Sequence, residues 1–170
     1  MDAKALKEVT SELSLLYIED DDNLRKETAK LFGHLFKTVE TAENGKIGLD
    51  KLSRTYFDLV ITDINMPIMD GVTLSKKIRE NNHKQTIIVT SAHDESNYLL
   101  ELINIGIDRF ILKPLDMNTM TSALLSVCTN ISNEKLIQKY KEEIEASNIR
   151  LKDSNDELMT MVKVFDNKIS

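Results

Sequence analysis

Hydrophobic and polar positions along this chain alternate between two periods. Apolar, β-branched runs at 13–18 (LSLLYI), 59–62 (LVIT), 86–90 (TIIVT) and 110–112 (FIL) read as buried strands, and 38–42 (TVETA) as a short alternating one. Between them apolar residues recur at three and four. Leu24, Ala29, Leu31, Phe32 and Leu35 predict a helix over 23–36; Ile47, Leu49 and Leu52 carry one opened by Asn44 and Gly45; Leu74 and Ile78 one over 73–80. A further helix runs through Leu99, Leu100, Leu102 and Ile103 from an Asp94 cap to Gly106. The last domain helix carries Met120, Ala123, Leu124, Val127 and Cys128 behind an Asp116 cap.

Strands alternating with helices are the signature of an α/β fold, a five-stranded parallel sheet with helices on both faces. Right-handed crossovers bring the carboxyl ends of all strands to one edge. That edge is where open α/β sheets place ligands. The first strand ends in Glu19, Asp20, Asp21 and Asp22, the third in Asp63, the fourth in Thr90 and the fifth in Lys113. Polar groups distant in sequence therefore converge.

Outside 13–128 the pattern changes. Residues 1–12 are polar, with Leu6, Val9 and Leu13 at helical spacing, and read as a frayed or weakly docked leader. Residues 129–170 hold no Gly or Pro and predict a linker helix. There Ile137, Tyr140, Ile144, Ser147, Leu151, Ser154, Leu158, Met161 and Phe165 keep an unbroken heptad register. One seam is apolar throughout and the other carries two serines. The expectation is a marginal, parallel two-stranded coiled coil making a homodimer through 131–168, with a docked or free single helix as the alternative.

Composition narrows the function classes. Apolar residues at 41% and charged residues at 29% suit a packed globular domain. A net charge of −6, without a block of Lys and Arg, argues against a nucleic-acid groove. No apolar run of membrane-spanning length and no signal-peptide opening occurs, so the chain reads as cytoplasmic with no membrane partner. A single cysteine, Cys128, in an apolar helical pattern reads as a buried, inert thiol. His34, His83 and His93 lack metal-ligand spacing and read as surface or loop residues, with His93 near enough to the edge to affect access.

The ordered set LLYIEDDD, VITDINMPIMDG, IIVTSAH and FILKP resembles the receiver domain of two-component response regulators. The resemblance implies a flavodoxin-like fold that accepts a phosphoryl group from a histidine kinase or phosphotransfer protein. It implies a phosphoacceptor rather than an enzyme, self-catalysed phosphorylation and dephosphorylation aside. Asp63 is then the nucleophile. Mg²⁺ is held by Asp20, Asp63, Glu19 directly or through water, and the Asn65 backbone carbonyl. Lys113 and Thr90 contact phosphoryl oxygens, Lys113–Pro114 is cis, and Phe110 stands at the aromatic switch position. Glu19 stands where Asp is commoner, and Ser91 where Ala is frequent. The Asn65 side chain lies where the water of dephosphorylation approaches, so its influence falls on the lifetime of the phosphorylated state.

Simpler readings remain beside these. The acidic run also caps a helix, and Phe110 is equally a core aromatic. A receiver-like scaffold binding a partner without phosphorylation is the second function. An aspartyl-phosphate phosphohydrolase is the third, weakened because Asn65 stands where that chemistry wants an acid. No output motif follows the coil, so the chain is expected to be the front portion of a longer protein rather than a stand-alone adaptor.

Overall fold

A computed structural model describes residues 3–92, 98–114 and 116–169. The order is α1 (Ala3–Thr10), β1 (Ser14–Ile18), α2 (Asp22–Gly33), β2 (Thr38–Ala42), α3 (Gly45–Leu52), β3 (Leu59–Asp63), α4 (Gly71–Asn81), β4 (Thr86–Ser91), α5 (Leu99–Ile105), β5 (Arg109–Leu112) and α6 (Met117–Ile169). The strands are parallel in the order β2-β1-β3-β4-β5. Every residue of β3 is buried, as a central strand covered on both faces requires. Asp94, expected as a cap, and His93 lie outside the described residues.

Side-chain alternation divides the core in two. Leu15, Tyr17, Leu59, Ile61, Ile88 and Ile111 face α1, α2 and the start of α6; Leu16, Ile18, Val60, Ile87 and Val89 face α3, α4 and α5. Side-chain acceptors cap the helix starts, and behind Asp70 the helix α4 begins at Gly71, two residues before its predicted start at Thr73. Asp21 accepts from Leu24 N at 2.9 Å, Asn44 from Ile47 N at 3.0 Å, Asp70 from Thr73 N at 2.7 Å and Asp116 from Thr119 N at 2.9 Å. Gly106 ends α5 in the left-handed region, φ 82°. The second helix stops at Gly33, three residues short of the predicted end, and Phe36 turns back into the core.

Two segments depart from the sequence reading. The leader is no loose tail: Leu6 is only 3% exposed within the core and the fully buried Thr10 hydroxyl lies 2.9 Å from the carbonyls of Leu6 and Leu35. Lys7 Nζ donates to the His34 carbonyl. Leu6 and Val9 of a polar octamer, followed by Leu13, suffice to dock α1, because α2 and α6 leave an apolar edge for it. Then α6 shows no break at 128/129. The compact unit runs to Ile131, and 132–170 form a second unit that is helical to Ile169. Without Gly or Pro nothing in this stretch ends a helix. From 133 to 165 every side chain of this second unit is exposed, the apolar heptad positions included.

Cys128 is buried, and burial, with the Asp58 charge behind it, pushes its thiol up to about 12. At pH 8 about one thiol in ten thousand would be thiolate, and only the thiolate is nucleophilic. Iodoacetamide at that pH should leave the folded chain unmodified and alkylate it fully in guanidinium, by intact mass.

Candidate functional site

The parity that builds the core also builds the site. Two residues beyond core positions Tyr17, Ile61, Ile88 and Ile111 on the same sheet face come Glu19, Asp63, Thr90 and Lys113. Parallel register sets Asp63 directly beside Thr90, and Thr90 beside Ile111. All these side chains therefore emerge at one carboxyl edge, between the starts of α2 and α6.

Lys113 Nζ lies 2.9 Å from Asp63 Oδ1 and 3.0 Å from Glu19 Oε2, joining two buried carboxylates with one ammonium. Burial pulls the Lys113 pKa down, but hydrogen bonds to Asp63 and Glu19 and their charges outweigh it, so its value is raised and the ammonium persists through neutral pH. Burial pushes the Glu19 carboxyl up; Lys113 opposes this, and the Asp63 charge adds to it. Thr90 is fully buried, its hydroxyl 3.4 Å from the Thr62 carbonyl and 3.5 Å from Asp63 Oδ1. The hydroxyl is near the acid without being tightly bound to it.

Glu19, Asp20 and Asp63 each offer a carboxylate oxygen within 4.8 Å of the others, Asp20 from the exposed side. An all-oxygen, multiply anionic set of this kind fits a hard divalent cation and not a thiophilic metal. Among the described residues, Lys113 is the ammonium that pairs with two of these three acids.

The turn after β3 closes the other wall. Gly71 opens α4 against the end of β3: its N–H donates to Ile64 O at 2.9 Å, and a Cβ there would stand 2.1 Å from the Asp63 carbonyl oxygen. A Gly71→Ala chain must move the backbone that carries Asp63. We expect a loss of about 2 kcal/mol, an overpacking cost, read as a lower urea midpoint. Ile68, 82% exposed, holds φ 72°, a strained setting for a β-branched residue. The MPIMDG string did not reveal it.

Asn65 is an exposed residue of this turn, and Ser91 is buried at the end of β4, where its carbonyl accepts from Lys113 N at 2.7 Å. The Lys113–Pro114 bond is cis, as the resemblance implied. Phe110 is half-buried and packs with the α5-side core, on the sheet face opposite Thr90. His34 and His83 are exposed and remote from the acids in the fold's element order.

Two site neighbours escaped the sequence reading. Arg25, one turn into α2, donates to the carbonyls of Glu19 at 2.7 Å and Asp20 at 3.2 Å and pairs with Asp22 at 2.6 Å, pinning the acidic loop's backbone. Its signal was available as a basic residue three after an N-terminal acid. Tyr17 is fully buried and its hydroxyl donates to Glu19 Oε2 at 3.2 Å. A tyrosine inside an otherwise aliphatic strand was the clue.

The profile of the family described as "Response regulator receiver domain" matches residues 15–125. The chain is similar to "Hybrid signal transduction histidine kinase A" of Dictyostelium discoideum, 36% identical over 115 residues covering 64% of this chain and 5% of that protein. It is similar to "Response regulator ArlR" of Staphylococcus aureus (strain Mu50 / ATCC 700699), 30% identical over 113 residues covering 66% of this chain and 51% of that one. It thus spans about half the length of that regulator. A solved signal receiver domain of an HD domain-containing protein from Pseudomonas fluorescens Pf-5 shares the fold, with TM-score 0.67 at 24% identity over 72% of this chain and 98% of that one. No helix among the described residues is long and apolar enough to cross a membrane.

Proposed function

The chain belongs to the response regulator receiver domain family, and from that premise we propose that Asp63 accepts a phosphoryl group from the histidine of a kinase or phosphotransfer protein. The observation that carries this reading is the carboxylate cluster of Glu19, Asp20 and Asp63, tied at one edge by Lys113. Asp20, Asp63, the Asn65 carbonyl and Glu19, directly or through water, would hold Mg²⁺. When bound, the ion screens the carboxylates from the incoming phosphoryl oxygens. An Asp63 oxygen attacks phosphorus as the bond to the donor imidazole nitrogen breaks, giving an acyl phosphate and returning the electron pair to the histidine. Lys113 then holds one phosphoryl oxygen as a charge-assisted donor, and Thr90 turns its loosely held hydroxyl to another.

Thr90 and Phe110 stand on neighbouring strands, so an inward move of the Thr90 hydroxyl changes the packing that Phe110 and the α5–β5–α6 face share. The α6 helix carries that change toward an output or partner. Exposed Ile137, Ile144, Leu151, Leu158 and Phe165 on the second unit support a homodimeric coil as the readout.

Incubation with Mg²⁺ and acetyl phosphate tests both parts. Peptide mass spectrometry should place one phosphoryl group on Asp63, and light scattering should report twice the chain mass. Absence of label on Asp63 with label elsewhere rejects the site; a monomer at high concentration, with or without beryllofluoride, rejects the coil.

A further inference from the structure

The acid that stands farthest inside the cation pocket is held from behind by a group the reaction itself never touches. Glu19 is 2% exposed, and its longer side chain has more rotatable bonds than an aspartate would bring to the same place. One of its oxygens, Oε2, receives two donors: Lys113 Nζ at 3.0 Å from the front and Tyr17 OH at 3.2 Å from the core. Lys113 is 23% exposed and shared with Asp63, so its hold on Glu19 changes whenever the occupancy of the pocket changes. Tyr17 has no such freedom. It is fully buried and its ring meets Phe32 edge-on with centroids 5.4 Å apart. Its phenolic proton is directed at Glu19 Oε2.

A phenylalanine would fill the same volume against Phe32 and need no partner. What the hydroxyl adds is a fixed donor aimed at Glu19. We propose that Tyr17 is a positioning residue for the divalent-cation pocket: its hydroxyl holds the Glu19 carboxylate in the orientation in which it, Asp20 and Asp63 face one another. The proposal rests on the reading of Glu19, Asp20 and Asp63 as cation ligands, and outer hydrogen bonds of this kind are commonly worth ten to a hundredfold in metal affinity.

The test is a double-mutant cycle on the full chain without phosphodonor, with Mg²⁺ binding read by calorimetry and by the Mg²⁺-induced rise in melting temperature. Tyr17→Phe should weaken Mg²⁺ binding about tenfold while the melting temperature without Mg²⁺ stays close to that of the parent. Glu19→Asp withdraws the acid from the reach of the hydroxyl, so adding Tyr17→Phe to it should change Mg²⁺ affinity by less than about twofold. Phe32→Leu, which removes the edge contact that fixes the Tyr17 ring, should weaken binding in the same direction by a smaller factor; it also serves should Tyr17→Phe fail to fold. Equal losses from Tyr17→Phe in the parent and in the Glu19→Asp background, or no loss in either, would overturn the role of Tyr17 while leaving the cation site standing. A parent chain that binds no Mg²⁺ at millimolar concentration would remove the cation site itself, and the proposal with it.

Discussion

An Asp63→Asn chain should fold and take no label from acetyl phosphate, whereas the parent should be labelled at that residue. The amide keeps the shape of the side chain and can still face Lys113 and Thr90, which lie 2.9 and 3.5 Å from Oδ1. It lacks the anionic oxygen that the proposed transfer needs as its nucleophile, so the expected loss is of chemistry and not of the pocket. Removing one of three clustered carboxylates also lowers divalent affinity, and a smaller Mg²⁺-induced rise in melting temperature accompanies the lost label. Labelling of the variant at the parent's rate would show that the acceptor is another residue.

Lys113→Ala separates two properties that the parent holds in balance. The ammonium supplies a positive charge to Asp63 and Glu19 before any cation arrives, because its raised pKa keeps it protonated across neutral pH. Without it the same carboxylates have only a divalent cation to neutralise them, and Mg²⁺ should bind more tightly. Phosphoryl transfer should nevertheless slow about a hundredfold, the usual loss when a preorganised donor to developing negative charge is removed. Calorimetry and a phosphorylation time course read the two effects in opposite directions. A fall in both would mean that Lys113 acts by holding the backbone of β5 and not as a charge.

Much of this site was visible as strand ends. An apolar run that stops on a polar residue announces that residue's place at the edge, and Asp63, Thr90 and Lys113 were all visible in that way. Helix starts at the acidic run, Asn44 and Asp116 were legible because capping is local: the acceptor side chain and the N–H it serves are two or three residues apart. The docking of α1 was not legible. Leu6 and Val9 promise only a weak docking, and Thr10 gives no sign of burial, until α2 and the start of α6 supply the surface they bury against. Arg25 reads in sequence as an ordinary helix cation, and its bonds to the Glu19 and Asp20 carbonyls exist only because the chain folds the acidic loop back over α2. The strain at Ile68 is equally silent, since a β-branched residue gives no notice of a positive φ.

By itself the sequence determined the alternation of strand and helix, the edge at which the reactive groups gather and the family to which the four motifs point. Those follow from periods of two and about three and a half, and from residue types at strand ends, which are local properties of the chain. Only the tertiary structure decided which groups touch. Parallel register set Asp63 beside Thr90, α4's first glycine fixed the turn behind Asp63, and side-chain parity lined Tyr17 up behind Glu19. Contacts between residues far apart in sequence depend on packing, and packing has no signature in any one segment.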